Sequence, residues 1–152
     1  MMRSSRIGVF VLVLVTVLIG TNCSYYNRVM ARKDLVDGSK AYKDRKFPEA
    51  EKLFRQAVSR DPKGENVEGK MAQLFLARTL HSMFIGDRAK KQWAEQAIAE
   101  YQKALAIDPK DQSSYKAIAS LYENLQKTDE WQAWVTKRSN DTSIPPEQRA
   151  EA

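Results

Sequence analysis

One spaced phrase occurs twice in this chain, and an internal repeat constrains architecture more than any single residue does. It runs Ala50, Phe54, Ala57, Asp61-Pro62, then Ala97, Tyr101, Ala104, Asp108-Pro109, so both copies read A-x3-F/Y-x2-A-x3-D-P. Residues at these offsets share one face of a helix. The alanines let a second helix approach closely, and the ring fills the gap between the two. Asp-Pro then stops the helix, because proline cannot continue it and pushes its predecessor out of the helical region. Glycine is scarce, at 6 of 152 residues, and Leu, Ala, Glu, Lys and Gln are plentiful, which favours helix throughout. The length suits a single domain.

The phrase resembles the second helix of a tetratricopeptide repeat (TPR). The first helix of that repeat should lie upstream, and Gly38, Ala41, Tyr42, Phe47, Pro48 and Ala50 follow the family's order of small residue, aromatic, turn, aromatic and alanine. A more worn third unit follows Pro109. Tyr115, Ile118, Ala119 and Tyr122 form its first helix, and Leu125, Trp131, Trp134 and Val135 continue into its second. There Trp131 replaces the expected alanine and no Asp-Pro closes the unit. The resemblance covers roughly residues 31–138 and implies an all-α fold. It would be a TPR-type right-handed superhelix of about three antiparallel helix pairs, preceded by an apolar leader helix. The expected TPR domain is 24–138, with units of about 29–62, 66–109 and 112–138.

Local signals place the elements. Tyr25, Tyr26, Val29, Met30 and Val36 recur at helical spacing, predicting a first helix over residues 25–46. Phe47-Pro48 starts its partner, with proline in the first turn where a missing N–H costs nothing, and that helix ends near Arg60. The middle unit is stretched: Pro62 and Pro109 stand 47 apart, against a usual period of about 34. Helices over about 66–85 and 90–106 follow, with Gly86 as the expected C-cap. The tip between them carries Met83, Phe84, Ile85 and Trp93, which either pack on one another or form an exposed apolar contact. Trp93, Trp131 and Trp134 lie at helical spacing and are expected in the core. In the tail, 139–152, residues 143–147 read as a helix start. No apolar docking face is evident there, which suggests either a frayed tail or the start of a truncated further helix.

Residues 1–22 form a separate leader. Arg3 and Arg6 precede an apolar run over residues 7–20. That is short for a membrane span and suits a secretory signal peptide. Cys23, the only cysteine, follows closely. It resembles the lipid-attachment cysteine of bacterial lipoproteins, although Asn22 departs from the small residue usual before it. The alternatives are an uncleaved signal anchor and ordinary signal cleavage. All three imply a bacterial cell-envelope location, facing the periplasm or exterior, with the leader's arginines on the cytoplasmic side.

Composition and failed motifs exclude several classes. Arg3 and Arg6 account for two of the 25 basic residues, leaving 23 against 19 acidic ones, well interspersed. That is a solvated surface and not a nucleic-acid footprint, which needs basic residues clustered on one face. Gly64 to Met71 follows phosphate-loop spacing until its last place, where Met71 lacks the hydroxyl that magnesium requires and no strand precedes it. His81 is the only histidine and cannot pair with a second to hold a metal. No nucleophile–base pair can be drawn. The reading is therefore non-enzymatic, with no cofactor, no metal and no small-molecule substrate.

The resemblance implies a protein or peptide partner held in a groove lined by the first helix of each pair. The positions it implies are Arg32, Ser39, Tyr42 and Lys43 from the first unit and Arg78, His81 and Ser82 from the second. Lys116, Ser120, Glu123 and Asn124 come from the third. His81 also reads as a packing residue. Basic side chains in the first two units favour an acidic or carboxylate-terminated segment. A membrane-tethered adaptor is the leading reading. A structural lipoprotein of an envelope assembly (outer-membrane or type IV pilus biogenesis) would use the apolar tip instead. A third reading puts a catalytic domain beyond Ala152.

Overall fold

The computed structural model describes the backbone of residues 4–150 and the side chains of residues 24–147 and 149. The leader and Cys23 lie outside the described side chains. The described residues form seven helices and no strand: α1 (Ser4–Lys43), α2 (Phe47–Arg60), α3 (Val67–Gly86), α4 (Lys91–Ile107), α5 (Gln112–Asn124), α6 (Thr128–Ser139) and the short α7 (Pro146–Ala150). Each packs on the next in chain order, and α1 also meets α3. This is the all-α, TPR-like helical repeat expected from the repeated phrase.

The phrase does the packing work its spacing predicts. Ala50, Ala57, Ala97 and Ala104 are all buried, with Phe54 and Tyr101 between them. Phe54 stacks on Phe75 of α3 with centroids 5.5 Å apart, and Tyr42 of α1 meets Phe75 edge-on at 6.2 Å. Full burial of Phe54 stabilises the fold by about 1.5–3 kcal/mol. Gly38 lets α1 close on this cluster: a Cβ there would stand 2.8 Å from Phe54 Cε1.

The Asp-Pro pairs end α2 and α4, and the aspartates also close the turns. Asp61 accepts from the backbone N–H of Glu65 at 3.0 Å and of Asn66 at 2.8 Å. Asp108 accepts from the Lys110 N–H at 3.1 Å. Two hairpins turn differently from expectation. α1 stops at Lys43 and not at residue 46, because Arg45 adopts a left-handed φ of 59°. There Lys46 N–H bonds Ala41 O at 2.9 Å and Arg45 N–H bonds Tyr42 O at 3.0 Å, the double closure of a Schellman motif. Gln126, at φ 57°, repeats it after α5, with Lys127 N–H on Tyr122 O at 2.9 Å and Gln126 N–H on Glu123 O at 2.9 Å.

Three further expectations are corrected. Gly86 is the last helical residue of α3 and not its left-handed cap. Asp87 takes the cap at φ −146° and ψ 88°, and its carboxylate accepts from Ala89 N–H at 3.2 Å. At the tip the packing alternative holds: Met83 and Phe84 are buried and Trp93 packs against the core, with Ile85 exposed. Trp134 also packs on the core, while Trp131 is half-buried outside it. The tail does dock: Ile144 is 3% exposed. The Asp141 carboxylate turns the chain toward it by accepting from Ser143 N–H at 2.9 Å and Ser143 Oγ at 2.6 Å.

Candidate binding groove

The first helices of the three pairs are stitched side by side through polar contacts. Tyr42 Oη of α1 and Ser82 Oγ of α3 lie 3.0 Å apart. Arg78 of α3 donates from Nη2 to Ser113 Oγ of α5 at 3.2 Å, and its guanidinium lies 5.6 Å from the Phe75 ring centre. Arg88, just past α3, donates to Asn124 Oδ1 of α5 at 2.9 Å. At the end nearer the leader, Arg28 approaches Glu68 at 3.5 Å.

These contacts bring Tyr42, Ser82, Arg78 and Asn124 to the seams between neighbouring first helices. Arg32 and Lys43 are exposed on α1, and Ser39 spends its hydroxyl on Leu35 O at 2.7 Å within its own helix. On α5, Asn124 donates to Ser120 O at 2.7 Å, while Lys116 and Glu123 are exposed. His81 points elsewhere. Its Nδ1 lies 3.4 Å from Tyr101 Oη of α4, ring edge-on to ring. Burial holds its pKa below the usual 6.5, so it is neutral at pH 7. Burial likewise raises the Tyr101 hydroxyl far above its ordinary value. His81 therefore serves the α3–α4 contact, the packing reading of that residue.

One part of this surface escapes sequence reading. α3 buries Leu76, Ala77 and Leu80 on one side, yet Val67 (63%), Met71 (43%) and Ile85 (57%) are exposed. With half-buried Leu74 they fall at offsets of four, three and eleven, one strip along the helix. Arg78 stands in the same strip and reaches α5, so the strip faces the row of first helices. The available signal was weak amphipathicity: the apolar residues of α3 do not fall on one face alone, so burying Leu76, Ala77 and Leu80 leaves others outside.

Among the described residues no group of three or more His, Cys, Asp or Glu side chains could hold a metal ion. No described helix is long and apolar enough to cross a membrane. With that geometry in place, comparison with known families matches the tetratricopeptide repeat to residues 89–111, the turn before α4 through the end of its Asp-Pro phrase. No curated protein and no solved structure matches the chain. The repeat match supports a role in protein–protein interaction.

Proposed function

We propose that the chain is a non-catalytic adaptor, tethered to a bacterial envelope membrane by its leader or by lipid on Cys23. Its row of first helices captures a protein segment that carries both apolar and acidic residues. The observation behind this is the α3 strip. Val67, Met71 and Ile85 leave apolar side chains exposed along the strip, Arg78 stands within it, and Arg32 and Lys43 are exposed cations of the neighbouring first helix α1. Apolar area supplies binding energy, and the cations select a carboxylate-bearing segment by charge-assisted hydrogen bonds. The assembly reading loses its main support, since only Ile85 of the tip residues is exposed.

The test is a pull-down from envelope extract with the tagged full chain beside its Lys43→Glu, Arg78→Glu double variant, both checked for helicity. Partners held by the wild type and lost by the variant support the groove. An identical partner set for both would sink it. Tethering has its own readout: a radiolabelled fatty acid should be incorporated by the wild-type chain and not by Cys23→Ala if lipid holds it, and by neither if the leader does.

A further inference from the structure

The second alanine of the repeated phrase follows the first by seven residues, from Ala50 to Ala57 and from Ala97 to Ala104. In the third unit Trp131 takes the first alanine's place, which puts Arg138 in the second's. Arg138 is buried as those alanines are, at 7% exposure. The register of the repeat thus carries a guanidinium into a position that water does not reach. Its Nη1 donates to Pro109 O at 3.0 Å, and its plane lies 4.8 Å from the Tyr115 ring centre. The opposite edge, Nε and Nη2, has no hydrogen-bond partner. Asp141 is nearby and its charge interacts with Arg138, but its Oδ1 accepts from Ser143 and no hydrogen bond joins the two side chains.

A buried charge is costly unless paired. The junction of α2 with α4 shows the paired case. Glu100, also buried, accepts from Gln73 Nε2 at 2.7 Å and meets Lys103 at 3.0 Å and Arg55 at 3.7 Å. Where Arg138 of α6 reaches Pro109, the cation has no hydrogen-bonded counter-charge; Asp141 acts on it only through space. Two more buried groups beside it lack partners, Tyr115 Oη and Trp134 Nε1, on rings stacked 5.8 Å apart. Burial raises the Tyr115 hydroxyl pKa against the pull of Arg138, so it remains protonated and can donate. All three residues line a cleft of about 450 Å³ whose apolar wall includes Leu105, Ala106 and Pro109.

We propose that this cleft binds a carboxylate with an apolar neighbour, the acidic or C-terminal residue of a peptide, on the free edge of Arg138. The Nε and Nη2 hydrogens point the same way and match the two oxygens of a carboxylate. Trp134 Nε1–H and the Tyr115 hydroxyl add donors, and Leu105 and Ala106 take the apolar group. The donor atoms are covered in the free chain, so entry requires neighbouring side chains of the cleft, among them Lys137 and Asp141, to shift. Tyr115 of α5 is the site's one contribution from a first helix, and the cleft shares none of the groove positions named above.

The experiment follows the indole and guanidinium N–H resonances of the ¹⁵N-labelled full chain. The probes are N-acetyl-leucine, N-acetyl-leucinamide, N-acetylglutamic acid α-amide and inorganic phosphate. N-acetyl-leucine should shift Trp134 Nε1–H and Arg138 Nε–H saturably, and its amide should not. Tighter binding of the glutamate derivative assigns the site to an acidic side chain, and tighter binding of N-acetyl-leucine to a chain terminus. Arg138→Lys keeps the charge but loses the fork, and should weaken binding about tenfold or more. Arg138→Met should stay folded and lose binding. If it fails to fold, Arg138→Lys decides, and unchanged affinity there overturns the proposal. So would shifts that survive Arg138→Met, shifts by phosphate alone, or no shift with either carboxylate.

Discussion

Replacing Gly38 with alanine sets a Cβ 2.8 Å from Phe54 Cε1 and 2.9 Å from its Cδ1. Carbon atoms in good contact stand about 3.5–4.0 Å apart, so the overlap is about 0.7 Å or more. The ring has nowhere to retreat. Phe54 is fully buried and stacked on Phe75, which Tyr42 holds from another side. Overpacking of this kind costs about 1–3 kcal/mol. Alanine in place of a helical glycine returns about 0.5–1 kcal/mol. The expected net loss is therefore about 1 kcal/mol and at most about 2.5. Gly86 is the matched control. It is also helical, and a Cβ there meets nothing within 4 Å, so Gly86→Ala should gain up to about 1 kcal/mol. Urea denaturation reads both as midpoint shifts at constant slope. In a Phe54→Leu background the smaller side chain leaves room, and the penalty of Gly38→Ala should shrink or change sign. A Gly38→Ala midpoint that rises as Gly86→Ala does would refute the packing argument. A penalty unchanged in the Phe54→Leu background would show that its source is not the ring.

Arg45 and Gln126 hold left-handed φ values without glycine's freedom, at a strain of about 1–2 kcal/mol each. Glycine removes the strain but loosens the unfolded chain, so Arg45→Gly and Gln126→Gly should each stabilise by about 0.5–1 kcal/mol and sum in the double variant; thermal melts that fall would contradict the Schellman assignment. Asp111 caps α5 by accepting from Ser113 N–H at 3.0 Å and Ser114 Oγ at 2.6 Å. Burial pushes its pKa up, but the bonds from Ser114 and Ser113 outweigh it and hold the carboxyl below the usual 3.8. A depressed folded value means the cap's contribution is complete above about 3.8, the value in the unfolded chain, and is lost as pH falls from there through the folded value. Asp111→Ala should therefore cost about 1 kcal/mol at neutral pH, and the gap to wild type should close in strong acid. A gap independent of pH would sink the capping argument.

The helical hairpins were legible because their signals are local. Spacing in the repeated phrase puts Ala50, Phe54 and Ala57 on one face, Asp-Pro ends the helix, and α3 and α4 fall within a residue of the expected 66–85 and 90–106. What escaped depends on contacts made elsewhere in the chain. Neither Arg45 nor Gln126 announces a left-handed turn; the closing bonds to Ala41 and Tyr122 impose it. Gly86 looked like such a turn, and Asp87 took the cap instead. Ile144 is one apolar residue in a polar tail, and it finds a seat only because Asp141 turns the chain back.

Arg138 is the sharpest case. Taken singly, an arginine near the end of a helix is a solvated charge that favours the helix C-terminus. Counted from Trp131 in the rhythm of Ala50–Ala57 and Ala97–Ala104, the same residue falls on an inward position, and the structure buries it. The repeat thus supplies two kinds of information. Where its pattern holds, it specifies packing. Where a buried position changes from a methyl group to a charge, it marks a group that the stack alone does not satisfy. The third unit combines Trp131, Trp134 and Arg138 in one degenerate helix, so the weakest match to the phrase holds the strongest chemical departure from it.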